Sequence, residues 1–172
     1  MYEDTKRNIW VSTDQGVFRF DKDFKKSLFF KYNLNSKSIG DKSVYSILED
    51  DNGDIWFGIW NGGIKILRAS ELTKENAYLM LFEELINEKF SNSTVWSLYR
   101  DTESAIWVGS NNSIYRYNRA IETFEGFDKQ IKEFDKELAI SANCFFEDVD
   151  QEKMWFGTLN NGVGCYEKSS KR

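Results

Sequence analysis

The stretch DDNGDIWFGIWNGG, Asp50 to Gly63, decides how this chain folds. An acidic turn leads into a short apolar run centred on Trp56, and a second polar turn closes that run. Asn52-Gly53 supplies residues that accept positive φ, as a tight turn between antiparallel strands requires. Read in isolation the segment resembles a ligand loop. The rest of the chain gives it a different meaning, because the segment recurs.

Three other stretches match it: YEDTKRNIWVSTDQGVFRF from Tyr2, YRDTESAIWVGSNNSIYRY from Tyr99 and FEDVDQEKMWFGTLNNGVGCY from Phe146. The anchor residues are Trp10, Trp56, Trp107 and Trp155, a period close to 50 residues. Each unit reads as short strands. A first run (VYSIL 44–48, VWSLY 95–99, NCFFE 143–147) precedes the acidic turn. A second run carries the Trp, and a third follows the next turn (GIKIL 63–67, SIYRY 113–117, GVGCY 162–166). A fourth, weaker strand is expected at LFFKY (28–32) and TFEGF (123–127), and in the second unit only at AYLMLF (77–82).

Four short antiparallel strands per period make one β-propeller blade. The expected fold is therefore all-β: about three and a half to four Trp-anchored blades in one incomplete propeller spanning residues 1–172. Blade ranges are 1–32 (partial), 44–82, 95–127 and 143–166 (partial). The first unit opens near the end of its first strand and the last stops after its third, so open edges are expected at both ends. The apolar spacing of Leu81, Phe82, Leu85, Ile86 and Phe90 predicts a helical insertion near 71–90. Ile131, Phe134 and Leu138 predict another near 128–140.

The same logic assigns the glycines and tryptophans of the motif. Gly58, Gly109 and Gly157 lie two residues after the Trp, on one strand face, where a missing side chain lets a neighbouring strand approach. Trp10, Trp56, Trp107 and Trp155 read as inter-blade core. Trp96, on a first strand, also reads as core rather than pocket.

Composition narrows function. The chain has no His, which excludes a Ser-His-Asp triad, His metal ligands and a phosphoacceptor His within these 172 residues. A net charge of −5 gives no basic stripe for nucleic acid. No run approaches the 18 or so apolar residues of a membrane span, so no membrane contact is expected. MYEDTKRNIW holds no apolar h-region, so no secretory signal is expected in it. Cys144 and Cys165 fall on the first and third strands of one blade. With a strand between them their Cα atoms should lie about 9–10 Å apart, beyond disulfide reach, so two free thiols are expected. No metal or other cofactor is expected.

VYSILEDDNGDIWFGIWNGGIKIL (44–67) resembles the two-component regulator propeller repeat, with Ile59 where that family usually has Thr. FFKYNLNSKSIGDKSV (29–44) resembles its inter-blade linker. The third copy departs from the pattern with Glu103-Ser104 at the turn glycine and with Asn112, and the fourth has an extra polar residue in VDQEKMW. The resemblance implies a sensor role, within seven-bladed propellers in the periplasmic half of hybrid two-component sensors that often detect oligosaccharides. It implies a periplasmic place as part of such a sensor; a chain made alone without a leader would be cytoplasmic. The remaining blades of a parent chain, or a second copy joined through open edge strands, are the expected protein partners.

Propellers bind ligands through loops between second and third strands, which here hold Asp14, Trp60, Asn61, Asn111, Asn112, Asn160 and Asn161. Asn offers a donor and an acceptor to sugar hydroxyls, and an exposed Trp60 ring would stack on a pyranose. Asn also serves left-handed turn geometry with no ligand at all. Two other functions fit less well. A stand-alone protein-interaction scaffold is compatible with the fold. A sialidase-like reading rests on Asp51-Asn52-Gly53-Asp54-Ile55-Trp56, which resembles an Asp-box, itself a folding hairpin. Glycoside hydrolysis needs a positioned carboxylate pair or a Tyr nucleophile, and no acidic residue stands apart from turn or surface duty. The expectation is a non-catalytic chain.

Overall fold

Each apolar run of the repeat becomes a strand, because Trp, Phe and β-branched residues fit a pleated surface and the Asn/Asp/Gly turns between them reverse the chain. In the computed structural model, residues 1–31, 43–74, 82–84, 93–119, 121–127 and 140–170 are described. The first sheet comprises β1 (Tyr2–Glu3), β2 (Ile9–Thr13), β3 (Gly16–Phe20) and β4 (Ser27–Lys31). The second comprises β5 (Val44–Glu49), β6 (Ile55–Ile59), β7 (Gly63–Leu67) and β8 (Phe82–Glu84). The third comprises β9 (Val95–Arg100), β10 (Ile106–Ser110), β11 (Ile114–Asn118) and β12 (Thr123–Gly126). The fourth comprises β13 (Ala142–Asp148), β14 (Lys153–Thr158) and β15 (Val163–Glu167). Strand order follows chain order in every sheet, as in propeller blades. The chain divides into two units, Met1–Val95 and Trp96–Arg172.

One expectation is corrected here. Within 71–90, Phe82–Glu84 is the strand β8, antiparallel to β7 with Leu67 opposite Phe82. The backbone edge of β7 offers unpaired donors and acceptors, and pairing them outweighs the helical spacing of the apolar residues. Before it, Glu71–Thr73 is a single 3₁₀ turn. The rest of that segment, and the helix expected over 128–140 apart from Ile140, lie outside the described residues.

The acidic turns carry more structure than a simple reversal. In the first unit Asp4 Oδ1 accepts from the backbone of Lys6 at 3.0 Å and Asn8 at 2.8 Å. Its Oδ2 accepts from Trp10 Nε1 at 2.9 Å. Asp50 repeats this with Asn52, Asp54 and Trp56 (2.7 Å), and Asp101 with Glu103, Ala105 and Trp107 (2.8 Å). One buried carboxylate thus caps the turn and satisfies the indole N–H that burial would otherwise orphan. The residue three past each Asp has positive φ: Arg7 (69°), Gly53 (77°) and Ser104 (64°). Of these three turns, only that of the second repeat has a glycine there.

Packing follows the same repeat. In the first unit Trp10, Val17 and Phe30 of the first sheet meet Val44, Ile55, Phe57, Ile59 and Leu67 of the second. Trp10 stacks on Phe30 (5.6 Å) and meets the edge of Phe57 (5.8 Å), with the Arg19 guanidinium over its ring. IWFGI is apolar without alternation because β6 is buried along its whole length. In the second unit Trp107, Ile114 and Phe127 meet Ile140, Ala142, Met154 and Tyr166.

The anchor role is corrected at Trp155. Trp10, Trp56 and Trp107 are at most 1% exposed, whereas Trp155 is 36% exposed. The extra residue in VDQEKMW moves Asp148 out of step, and its Oδ1 accepts from Gln151 N instead. Met154, on the other face of β14, is fully buried, as Ile55 and Ile106 are at the equivalent positions of their sheets. Both cysteines are free thiols, with Cys144 opposite Gly157 on β14 and Cys165 opposite Trp155.

Neighbouring sheets are also stapled by carboxylates. Glu49 accepts from Thr5 N (2.6 Å) and Thr5 Oγ1 (2.8 Å). Glu147 repeats this with Thr102 (2.8 and 2.7 Å) and also pairs with Lys168. Burial pushes the Glu147 carboxyl up, but the hydrogen bonds from Lys168 and Thr102 outweigh it and hold it below its ordinary value. Burial likewise opposes charge on Lys168, and Glu147 and Asp101 outweigh it and raise the ammonium. The depressed carboxyl stabilises the fold above its unfolded value of about 4.3 and loses that contribution as pH falls through the lower folded value. Lys168 contributes fully below its unfolded value of about 10.4 and loses its share as pH rises through the raised folded one. Urea midpoints should therefore drop on acidification below about pH 4.3, and Glu147→Gln should flatten that limb. An acid limb identical in the variant would refute the assignment.

Candidate functional site

The loop after β6 is shaped by Asn61 and Gly63, both at positive φ (42° and 63°). It is tied down on three sides. Trp60 N donates to Ser43 O at 2.9 Å, Gly63 N to Ser93 O at 3.0 Å, and Asn61 N to Thr94 Oγ1 at 3.1 Å. Thr94 Oγ1 donates in return to Asn61 Oδ1 at 3.2 Å. The Asn61 side chain thus helps hold the loop, in keeping with its turn geometry.

What this frame presents is an aromatic pair. Trp60 and Tyr45 are each 44% exposed, with ring centroids 5.9 Å apart and planes inclined at 49°. Tyr45 projects here because β5 is irregular at this point: Val44 pairs with Ile59 and Ser46 with Gly58, which leaves Tyr45 as the extra residue. A bulge of this kind re-aims a side chain that a regular strand would place in the ladder. Sequence reading missed Tyr45. VYSIL looks like an ordinary alternating strand, and its signal is the aromatic residue directly after the first buried Val.

The other candidates occupy equivalent loops. Asp14 is exposed in the turn between β2 and β3, where Thr13 Oγ1 donates to Gly16 O. In the second unit, Asn111 O accepts from Ser141 Oγ at 3.1 Å, and Asn112 N donates to Ser110 Oγ at 3.2 Å. Asn160 and Asn161 are exposed after β14, with Asn161 N donating to Thr158 Oγ1. Trp96 is half-buried on β9. Of the predicted residues, only Trp60 and Asn61 share one loop with a second exposed ring beside it. Among the described residues no cluster of three or more Cys, Asp or Glu has metal-site geometry, and no helix is long and apolar enough to cross a membrane.

The two component regulator propeller family matches residues 38–61 and 89–112, each match running through the first two strands of a sheet and ending in the loop after the second, at Asn61 and at Asn112. Two segments of the chain are thus similar to the two component regulator propeller repeat. Histidine kinase P4 of Formosa agariphila is 27% identical over 155 residues, which is 87% of this chain and 11% of that protein. The extracellular domain of a hybrid two component system from B. thetaiotaomicron is 27% identical, with a TM-score of 0.75 over 99% of this chain and 21% of the other. A second such extracellular domain from B. thetaiotaomicron shares the fold at 23% identity and a TM-score of 0.73, covering 99% of this chain and 23% of the other. The chain thus spans about a ninth of the curated relative it matches. In these propeller repeats the Trp and Gly of the motif are internal to the sheets, while the loop after the second strand faces outward at Trp60.

Proposed function

We propose that the chain is a ligand-sensing propeller segment of a two component regulator, acting outside the cytoplasm and without catalysis of its own, with a carbohydrate as its signal. The observation that carries this reading is the exposed Trp60–Tyr45 pair on a loop held by Asn61 and Thr94. Two inclined aromatic faces offer C–H stacking to a pyranose, and nearby polar groups orient its hydroxyls. A fixed loop binds with little ordering cost. The relatives agree in kind, since their matched parts are extracellular domains of two component systems.

The test is titration of the chain with a panel of neutral and acidic oligosaccharides, read by tryptophan fluorescence and calorimetry. Binding by at least one member is expected, weakened about tenfold or more in Trp60→Ala, roughly the loss of 1.4 kcal/mol of stacking. Tyr45→Ala should weaken it less. Binding that survives Trp60→Ala unchanged would move the site elsewhere, and a folded chain that binds none of the panel would reject the ligand class.

A further inference from the structure

We propose that the cavity between Arg19 of β3 and the segment 72–74 binds a small organic carboxylate, with Arg19 as its anchor. A comparison between two sheets leads there. β3 and β11 each carry an arginine directly opposite the anchor tryptophan, Arg19 opposite Trp10 and Arg116 opposite Trp107. Each guanidinium lies over its indole ring, 5.7 Å from the centroid. Their anionic surroundings differ. Arg116 pairs with Glu103, two residues past the turn Asp101, which itself lies 3.5 Å away. Glu125 stands opposite Arg116 on β12. The first sheet has Lys6 two residues past its turn Asp4, and Leu28 opposite Arg19 on β4.

Among the described residues the Arg19 guanidinium makes no hydrogen bond or ion pair. Asp4 does not supply one, because its two oxygens are taken by N–H groups of Lys6, Asn8 and Trp10. Burial pulls the Arg19 guanidinium below its ordinary value, and the Asp4 charge offsets only part of that. A half-buried cation is thus held on an aromatic ring with its N–H donors unused.

The space beside Arg19 suits a small molecule. A cavity of about 320 Å³ opens on the Trp10 face of the first sheet, where Leu28 and Leu72 pack against the core shared with the second. That volume is at the lower end of small-ligand sites. Lys26 and Lys74 add positive charge to its wall, Lys74 sharing Glu71. The lining carboxylate, Asp21, is already engaged, its Oδ1 accepting from Lys25 N at 2.7 Å and Lys26 N at 3.1 Å. A planar carboxylate meets the guanidinium fork with two parallel hydrogen bonds, and pairing removes the cost of an uncompensated buried charge. Leu28 and Leu72 offer an apolar wall to the carbon body of the acid. The third sheet carries its own carboxylate in this place, as Glu103, and the first leaves the place to a ligand. The site is distinct from the Trp60 loop. That loop follows β6, whereas the cavity is walled by residues before β2, after β3 and after β7, at the other ends of the strands.

The test is titration of the full chain, isotope-labelled for NMR, with benzoate and with butyrate, each against sodium chloride at equal ionic strength. The signal followed is the Arg19 Nε–H resonance, assigned by its loss in Arg19→Gln. A saturable shift with the acids is expected, and none with chloride. Calorimetry should show acid binding weakened about tenfold or more in Arg19→Gln. Arg19→Lys, which keeps the charge and gives up the planar fork, should fall between. The sharper variant is Lys6→Glu. Lys6 is exposed, and its backbone N–H donates to Asp4 as that of Glu103 donates to Asp101. The new carboxylate should pair with Arg19, shift its resonance without any ligand, and weaken acid binding about tenfold or more. Circular dichroism checks the fold of each variant. Three outcomes would overturn the proposal: an Arg19 resonance that responds alike to chloride and to the acids, acid binding unchanged in Arg19→Gln, or acid binding unchanged in Lys6→Glu. None of these readouts involves Trp60 or an oligosaccharide, so this site and the Trp60 loop fail separately.

Discussion

Gly109→Ala is expected to destabilise the second unit by about 3 kcal/mol or more, against about 1 kcal/mol or less for Gly157→Ala at the equivalent position of the next sheet. The contrast follows from what each new methyl would meet. At Gly109 an added Cβ lies 2.1 Å from the Ala142 carbonyl oxygen and 2.4 Å from Ser97 Oγ. Those two groups are themselves joined, Ser97 Oγ donating to Ala142 O at 2.9 Å, a bond between the third and fourth sheets. The methyl therefore has to push backbone away and break the bond that brings the two sheets together. At Gly157 the nearest atom is the Cys144 thiol at 2.7 Å, on an exposed side chain that can rotate. For a chain of this size, roughly 3 kcal/mol corresponds to a lowering of the thermal midpoint by about 6–12 °C. Scanning calorimetry of the two variants side by side is the measurement. Equal shifts would mean that the glycine serves the strand and not the approach of its neighbour.

The repeat made most of this fold legible, because a period set by four strands and their turns is written in the spacing of Trp10, Trp56, Trp107 and Trp155. Legibility failed where pairing or packing overrode local pattern. Phe82–Glu84 looked helical because apolar residues recur around it at three- and four-residue steps, yet the open edge of β7 takes those residues as a strand. Trp155 carried the same motif as its counterparts, and its exposure depends on what lies against the sheet, which one unit of sequence does not encode. At the candidate site, Trp60 stood out as a Trp in a loop. Tyr45 did not, since a bulge between Val44 and Ser46 depends on the pairing of two strands rather than on residue types. The Asp-to-Trp hydrogen bonds lay in between: their six-residue spacing is constant in three units, but the burial that gives them weight appears only in three dimensions.

Those hydrogen bonds support the second large effect. Asp101→Ala should cost about 3–5 kcal/mol, a large part of the roughly 5–15 kcal/mol that holds a domain together. The carboxylate is fully buried and serves three donors: the backbone N–H groups of Glu103 and Ala105 and the indole of Trp107. Lys168 and Arg116 approach it at 3.3 and 3.5 Å. Alanine orphans the indole in the centre of the core and removes the cap of a turn whose Ser104 already sits at positive φ. Asp101→Asn should lose less. Its carbonyl oxygen still accepts from the turn, while its amide, a donor, faces the indole N–H and cannot accept from it. Asp148→Ala is the control. That residue caps only Gln151, its Trp is partly exposed, and its loss should stay near 1 kcal/mol or below. Chemical denaturation of the three variants, followed by tryptophan emission, orders them directly. A loss at Asp148 equal to that at Asp101 would show that the acidic turn alone carries the stability, and the bond to the anchor tryptophan would then have no special place in the fold.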